Sequence, residues 1–268
     1  MKGRANVIGA GPNGLAAAIV LAQAGFEVHV FEAEPEPGGA ARTLPLTLPG
    51  FLHDFGSAVH PMAVASPFLT SLPLDKYGLK WIQPDAPLAH PLDDGTAIIL
   101  ERTLDDAVRT LGEDGPAWRK LFTSLVEHWS ELAPQLLGPV SLFPHHPILM
   151  AKFGLRGFQS STRLAHQFRL ERTKALFAGL AAHSFLSLDE PLSAAFGLIL
   201  GATAHAVGWP IPRGGAQAIA NAMCEYLKSL GGEVKTTARV DSIADLPSAD
   251  LTLCDVTPRQ LLQLLGKN

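Results

Sequence analysis

Apolar positions near the start of the chain alternate between the spacings of strands and helices. Residues 5–8, ANVI, are mostly apolar and predict a short buried strand. Leu15 and Ile19 lie on the apolar face of the helix predicted next, and Gly25 is placed to end that helix. The stretch FEVHVFEAE then alternates apolar and polar residues up to Glu32, which predicts a second strand. Strand, turn, helix and strand in this order make a βαβ unit with parallel strands.

Residues 61–208 have a different, mostly helical pattern. PLDDGTAIIL predicts a β-hairpin that turns at the Asp94-Gly95 pair. The stretch 115–137, GPAWRKLFTSLVEHWSELAPQLL, carries one apolar stripe at helical spacing and predicts a single long helix. Further helices are predicted at 170–182 and 191–204. We therefore expect a helical region with a core of its own.

The α/β pattern returns after residue 208. Ile219, Met223 and Leu227 lie on one helix face, and the Gly231-Gly232 pair predicts the end of this helix. EVKTTARVDSI predicts two short strands and ADLTLCD a third, and TPRQ predicts a capping box that opens a last helix. The predicted fold class is α/β, with a Rossmann-like domain formed by residues 1–60 and 209–268 and interrupted by residues 61–208.

Composition supports a folded domain and excludes some partners. The chain has 268 residues, of which 47% are hydrophobic and 17% charged, so a substantial core is expected. The formal net charge of −4 gives no electrostatic reason to expect nucleic acid as a partner. Cys224 and Cys254 form no Cys-x-x-Cys motif, and no leader is predicted before the first strand, so we expect a cytoplasmic setting. The apolar stretch 194–209 is short for a membrane span and is predicted to be core.

The first turn has the glycine spacing that binds a dinucleotide pyrophosphate. A strand precedes this turn, a helix follows it, and an acid ends the next strand, as the binding mechanism requires. Glu32 is expected to accept hydrogen bonds from the ribose hydroxyls and to repel a 2′-phosphate, which disfavours NADP. The candidate cofactor-binding residues of the turn and strand end are Gly9, Ala10, Gly11, Pro12, Asn13, Gly14, Glu32 and Ala33.

A second glycine turn favours FAD over NAD. The segment PGGAART places Gly38, Gly39 and Arg42 shortly after Glu32. A domain that binds NAD alone has no need of another glycine turn with a cation, whereas an extended FAD can use both, the guanidinium by pairing with phosphate. Gly56, in the segment HDFG, is a further candidate for close approach of the backbone to the cofactor. An NAD-dependent dehydrogenase remains the alternative at this point.

Five segments resemble the flavoprotein superfamily of amine oxidases and phytoene (carotenoid) desaturases, and within it the phytoene dehydrogenase-like oxidoreductases. They are VIGAGPNGLAAAIVLAQAGFEVHVFE, PGGAART, HDFGSAVHP, GWPIPRGGAQAIANAM and GGEVKTTARVDSI. The resemblance implies a GR2-type flavoprotein in which residues 61–208 are a portion of the substrate domain that admits an apolar small molecule. Hydride would pass from this substrate to the flavin. It also implies FAD contacts from Gly9, Gly11, Gly14, Glu32, Gly39 and Arg42, and from the backbone of Val240 to the adenine.

The chain departs from this family pattern in its length. Family members continue into a C-terminal half that completes the substrate domain and ends in a strand–helix segment facing the flavin ring. We therefore expect the chain to correspond to the N-terminal half of a longer or split flavoenzyme, and the partners considered are a C-terminal-half chain or a second copy in a homo-oligomer. The alternative is a catalytically silent fragment that binds a nucleotide or a partner.

Candidate chemistry outside the glycine turns is sparse. No nucleophile–base arrangement or regular metal-ligand spacing stands out, so we name no catalytic residue and no metal site. A basic stretch in the helical region is interpreted as a solvated helix face, with peripheral membrane contact or an acidic substrate as the alternatives. Its members are Arg156, Arg163, Arg169, Arg172 and Lys174.

Overall fold

The structure is a computed structural model that describes residues 2–139, 141 and 143–266. Its strands are β1 (Arg4–Ile8), β2 (Glu27–Phe31), β3 (Thr43–Leu44), β4 (His53–Asp54), β5 (Trp81–Ile82), β6 (Leu88–Pro91), β7 (Ala97–Leu100), β8 (Ile211–Pro212), β9 (Glu233–Lys235) and β10 (Leu251–Cys254). Its α-helices are α1 (Pro12–Gln23), α2 (Pro61–Ala65), α3 (Pro67–Ser71), α4 (Leu104–Leu111), α5 (Gly115–Glu127), α6 (Trp129–Leu136), α7 (Pro147–Gly157), α8 (Ser161–Ala165), α9 (Glu171–Ala181), α10 (Ser193–Ala206), α11 (Gln217–Ser229) and α12 (Pro258–Leu264).

The chain folds into two compact units, each built from discontinuous segments. The first unit contains the residues up to Val59, the segment Leu72–Ile82 and the residues from Ile211 onward. The second unit contains His60–Ser71 and Gln83–Pro210. Residues 72–82, which lie in the middle region of the sequence, are thus part of the first unit, where β5 pairs with β8.

A four-stranded parallel sheet forms the centre of the first unit. Its strand order is β10-β1-β2-β9, and Ala5 lies opposite Leu251 on one side and Val28 on the other. The apolar face of α1 is buried on this sheet, with Leu15 and Ile19 fully covered, and α11 packs against α1. All four strands end at the same edge of the sheet, so the turns that follow them converge there. The predicted βαβ unit and the α/β class are confirmed.

One strand predicted in the C-terminal region does not form. EVKTTARVDSI contains a single strand, β9, and residues 238–242 pair with no other strand in the described part of the chain. Thr237 has a φ of 52°, a left-handed turn that ends the strand. The N–H of Ala238 then donates to the Glu32 carbonyl at 2.7 Å, so the chain crosses the end of β2 instead of extending the sheet. The prediction of a second strand was wrong.

The second unit is a helical assembly with its own aromatic core. Trp118 and Phe122 of α5 are fully buried, with their ring centroids 4.5 Å apart, and helix α10 packs against both α5 and α9. A Cβ added at Gly201 of α10 would lie 2.5 Å from the Phe122 ring, so the ring occupies space that only glycine leaves free. The hairpin predicted at Asp94-Gly95 is confirmed as the antiparallel pair β6–β7.

The long helix predicted over 115–137 is interrupted at His128. The segment forms two helices, α5 and α6, and His128 leaves helical geometry with φ −109° and ψ 24°. Both its backbone N–H and its ring Nδ1 approach the Ser124 carbonyl, at 3.3 and 3.1 Å. The apolar stripe survives the break, because Trp129 and Leu132 are buried with Trp118. Periodicity alone predicted one helix since the break preserves the apolar face.

None of the helices in the described residues is long and apolar enough to span a membrane.

Candidate functional site

A cleft of about 380 Å³ lies in the first unit, at the edge where the parallel strands end. The turns after β1, β2, β9 and β10 all contribute to it, as does the second glycine turn. Its lining residues are Ile8, Gly9, Gly11, Pro12, Asn13, Phe31, Glu32, Ala33, Gly39, Ala40, Ala238, Arg239, Val240, Asp241, Asp255, Val256, Gln260, Gln263 and Leu264.

The first glycine turn has the conformation and packing that its sequence predicts. Gly9 has a φ of 100°, in the region that favours glycine, and Gly11 is the N-cap of α1. The carbonyl of Gly9 lies against the position that a Gly14 side chain would occupy, so only glycine permits this contact. The backbone N–H groups of Gly11 and Asn13 find no acceptor in the described part of the chain, and Pro12 has no N–H. The turn therefore offers free donors at a helix N-terminus.

Glu32 organises the turn as well as facing the cleft. Its side chain is 8% exposed, and its carboxylate accepts hydrogen bonds from the N–H of Ala10 at 2.7 Å and of Glu34 at 2.9 Å. Since a carboxylate has about four lone-pair sites, these two bonds leave acceptor capacity toward the cleft. Ala33 lines the cleft beside it, whereas Ala10 is fully buried beneath.

The second glycine turn is held against the first. Gly38 has a φ of 124°, and its N–H donates to the Ala10 carbonyl at 2.8 Å. Gly39 has a φ of 55°, and a Cβ there would stand 3.3 Å from the Gly11 Cα. Ala10 thus links Glu32 to the second glycine turn. Its N–H donates to the Glu32 carboxylate, and its carbonyl accepts from the second turn. The two glycine motifs that the sequence singled out form one continuous wall of the cleft.

Arg42 lies beside the second turn and outside the cleft lining. Its Nε donates to the Gly39 carbonyl at 2.9 Å, and its Nη1 pairs with the Glu34 carboxylate at 2.9 Å. The guanidinium carbon also lies 5.4 Å from the centroid of the Phe55 ring. These contacts hold the turn in shape. The predicted phosphate contact of Arg42 stays a prediction.

Gly56 also lies outside the cleft lining, and its glycine requirement comes from packing. A Cβ at Gly56 would stand 2.6 Å from the Ala40 carbonyl oxygen, which accepts a hydrogen bond from the Gly56 N–H at 3.0 Å. Gly56 therefore supports the second glycine turn from behind. The approach of its backbone to a cofactor stays a prediction.

Val240 reaches the cleft through the segment that was expected to be a strand. Residues 238–241 cross the carboxyl end of β2 and line the cleft. Arg239 pairs with Asp241 at 3.0 Å within this segment. The position of Val240 is compatible with the predicted backbone pairing to an adenine, which stays a prediction.

Asp255 is a cleft residue that the sequence analysis missed. It follows β10, and its Oδ2 accepts a hydrogen bond from the Gly14 N–H at 2.7 Å. An acid directly after the last predicted strand was a signal that could have found it, because the turns after parallel strands meet at one edge. Among the lining residues that the structure describes, the acidic side chains Glu32, Asp241 and Asp255 outnumber the single basic one, Arg239.

The other candidate chemistry is weaker. No group of three or more His, Cys, Asp or Glu residues within the described ranges could hold a metal ion. Several cations of the basic stretch are engaged locally. Arg156 donates to the Leu121 carbonyl, Arg172 to the Thr110 carbonyl and Lys174 to the Glu171 carboxylate.

Comparison with known proteins identifies related sequences over nearly the whole chain. The family model described as "Flavin containing amine oxidoreductase" matches residues 13–261. A subunit of the limonene dehydrogenase of Castellaniella defragrans is 30% identical over 135 residues, which are 50% of this chain and 24% of that protein. The 4,4'-diapophytoene desaturase (4,4'-diapolycopene-forming) of Methylomonas sp is 24% identical over 250 residues, which are 88% of this chain and 47% of that protein. The chain thus spans half or less of the length of these two relatives.

Solved structures show the same fold. The crystal structure of an oxidoreductase from Methanosarcina mazei superposes with a TM-score of 0.59 at 20% sequence identity. The superposition covers 98% of this chain and 61% of that one. Both units of the chain therefore have counterparts in one larger polypeptide fold.

Proposed function

The chain belongs to the flavin-containing amine oxidoreductase family, and from that premise we propose that it binds FAD and takes part in oxidising or desaturating an apolar substrate. The observation that carries the proposal is the cleft at the strand ends, where both glycine turns and Glu32 face one space. FAD, when bound, supplies the acceptor for the hydride that leaves the substrate.

The residues present fit the adenosine diphosphate part of FAD. The free N–H groups of Gly11 and Asn13 at the start of α1 would hold the pyrophosphate, and Glu32 would accept from the ribose hydroxyls. Gly39 lacks the side chain that would narrow the passage beside Gly11. Val240 would offer its backbone to the adenine. A single-domain NAD site would leave the second glycine turn without a role, which favours FAD.

An apolar substrate is proposed on chemical likeness to the relatives. The two relatives are named for limonene and for diapophytoene, both hydrocarbons. Hydride removal from a hydrocarbon needs a site that excludes water and positions a C–H bond, since the substrate has no charged group that the protein could bind. We therefore propose a hydrophobic small molecule as the substrate class, and we assign no catalytic acid or base.

We further propose that activity needs a C-terminal half, either in a longer polypeptide or supplied by a partner chain. The matched region is 47% of the diapophytoene desaturase, and the limonene dehydrogenase relative is named as a subunit. β10 pairs only with β1 among the described strands, and Leu251 on it is 40% exposed. Leu262 and Leu265 at the last helix are 48% and 49% exposed. Such apolar surface next to an open strand edge is suited to burial in an interface.

A titration with FAD, followed by a mixing experiment, tests these proposals separately. Purified chain should bind FAD, measured by calorimetry and by the visible absorption of the flavin retained on gel filtration. Oxidation of a hydrocarbon should appear only after a separately expressed C-terminal half from a relative is added. Absence of FAD binding at millimolar FAD would support the silent-fragment alternative. Activity of the chain alone as a monomer would overturn the partner proposal and leave the cofactor proposal standing.

A further inference from the structure

Asp255 joins the strand edge of the sheet to the first turn of α1. Its backbone N–H donates to the Ile8 carbonyl at 2.8 Å, which continues the pairing of β10 with β1. Its carboxylate Oδ2 accepts from the Gly14 N–H at 2.7 Å, across 241 residues of sequence. One residue therefore fixes both the strand that enters the glycine turn and the helix that leaves it.

All three glycines of the turn pack against Asp255. A Cβ at Gly9 would lie 2.5 Å from the Asp255 carbonyl oxygen. A Cβ at Gly11 would lie 3.4 Å from its Oδ2, and one at Gly14 would lie 3.1 Å from the same atom. The lack of side chains at Gly11 and Gly14 thus leaves room for the Asp255 carboxylate, and the lack of one at Gly9 leaves room for its carbonyl, in addition to any space left for a ligand.

The same carboxylate changes the electrostatics of the turn. It occupies the N–H of Gly14, so the donors left at the helix start are those of Gly11 and Asn13. It also puts a negative charge at the helix end whose dipole favours anions. Among the described residues of the lining the one basic side chain, Arg239, is already paired with Asp241. A ligand with a negatively charged diphosphate therefore meets like charge at Asp255, and such repulsion weakens as salt screens it.

We propose that Asp255 is a positioning residue of the glycine turn that also limits how tightly the turn holds a diphosphate. The inference rests on the proposed binding of FAD in this cleft. Asp255 shapes the turn through a hydrogen bond that a neutral acceptor could equally make, while its charge opposes the ligand. FAD is consequently held reversibly. Its affinity rises with ionic strength, because salt screens the repulsion between the Asp255 carboxylate and the diphosphate.

Asp255→Asn separates the two effects, because an asparagine oxygen can still accept from Gly14 while the charge is removed. Calorimetric titrations with FAD, and with ADP as a second probe, are compared at about 0.02 M and about 0.5 M ionic strength. We expect the variant to bind about tenfold more tightly than wild type at low salt, and the advantage to shrink to about twofold at high salt. Thermal unfolding should stay close to wild type.

Asp250→Asn is the matched control. Asp250 precedes β10, and its Oδ2 accepts from the Arg4 N–H at 2.8 Å, so it makes the same kind of bond at the opposite end of the strand. It lies outside the cleft lining, and its replacement should leave the affinity and its salt dependence unchanged.

The inference is overturned if Asp255→Asn keeps the thermal stability of wild type and binds FAD no more tightly than wild type at low salt. If Asp255→Asn is less stable than wild type, Asp255→Ser takes its place, because the serine hydroxyl is also a neutral acceptor. The same criterion then applies. Binding by wild type with no gain in either variant refutes only the role of Asp255. Absence of FAD and ADP binding by every protein, the control included, refutes the proposed cofactor site and this inference together.

Discussion

The Asp54 carboxylate accepts a hydrogen bond from the backbone N–H of Ala216 at 2.8 Å, although 162 residues separate them in the chain. The same Oδ1 also accepts from the Thr43 hydroxyl at 2.6 Å, and the Thr43 oxygen accepts from the Gln217 N–H at 3.1 Å. Two side chains from the β3–β4 hairpin therefore cap the N-terminus of α11. The segments HDFG and GWPIPRGGAQAIANAM, which are far apart in the sequence, are therefore joined at this point.

Asp54→Ala should destabilise the first unit. The substitution leaves the Ala216 N–H and the Thr43 hydroxyl without their acceptor, and loss of a helix cap costs about 1–2 kcal/mol. Urea unfolding followed by circular dichroism would measure this loss. Asp54→Asn keeps an oxygen at the same position and should recover at least half of it. Equal losses in the two variants would show that the carboxylate charge, rather than the cap, is responsible.

Glu32→Ala should reduce stability even in the absence of any ligand. The carboxylate satisfies the N–H groups of Ala10 and Glu34, and it is buried, so removing it leaves two donors unpaired at a cost of about 2–3 kcal/mol. Glu36→Ala is the control, because Glu36 is exposed and has no hydrogen-bond partner among the described residues. Thermal unfolding of the ligand-free proteins tests this. If Glu32→Ala and the control have the same Tm, Glu32 does not stabilise the ligand-free fold and its role is confined to ligand binding.

The glycine turn and its acid were predictable because they are local. Gly9, Gly11, Gly14 and Glu32 lie in one βαβ unit, whose geometry fixes their relative places. The bond from Asp255 to Gly14 was not predictable in the same way, since it depends on how β10 pairs with β1 across most of the chain. The interruption of the helix at His128 was hidden for a different reason, because the apolar stripe continues across it.

Gly201→Ala should destabilise the helical unit strongly. The added methyl group would stand 2.5 Å from the Phe122 ring, which is fully buried and has little room to move, so overpacking costs about 1–3 kcal/mol. Gly154→Ala is the matched control in helix α7. Its Cβ would have no neighbour closer than 3.6 Å, and alanine should add about 0.5–1 kcal/mol through helix propensity. Shifts of the denaturant midpoint in opposite directions are expected, and equal shifts would contradict the packing argument.

Cys224 should resist alkylation in the native protein. Burial raises the pKa of its thiol to about 11, so the reactive thiolate is scarce at neutral pH. Cys254 is only half-buried, and burial raises its pKa as well, but reagents can reach its sulfur. Mass spectrometry after iodoacetamide treatment at mildly alkaline pH should therefore find label on Cys254 first. In urea both thiols should react at the same rate, which serves as the control, and faster native labelling of Cys224 would contradict its burial.

His205 makes the helical unit sensitive to mild acid. Its ring is buried, and Nε2 accepts a hydrogen bond from the Trp118 indole N–H at 2.9 Å, an interaction that requires this nitrogen to be unprotonated. Burial lowers the pKa of His205 from its usual 6.5 to about 4 in the folded protein, and the charge of the nearby Arg102 acts in the same direction. The folded state therefore resists a proton that the unfolded state accepts.

The stability of the helical unit should fall as the pH decreases from about 6.5 to about 4, because over this range the unfolded chain takes up a proton at His205 and the folded chain does not. The full loss corresponds to about 3 kcal/mol, reached when the pH is below both pKa values. Urea midpoints at several pH values test this. His205→Gln should be less stable at neutral pH but lose less on acidification, whereas His166→Gln, at an exposed position, should follow the wild-type profile. Parallel pH profiles for wild type and His205→Gln would assign the acid sensitivity to other groups.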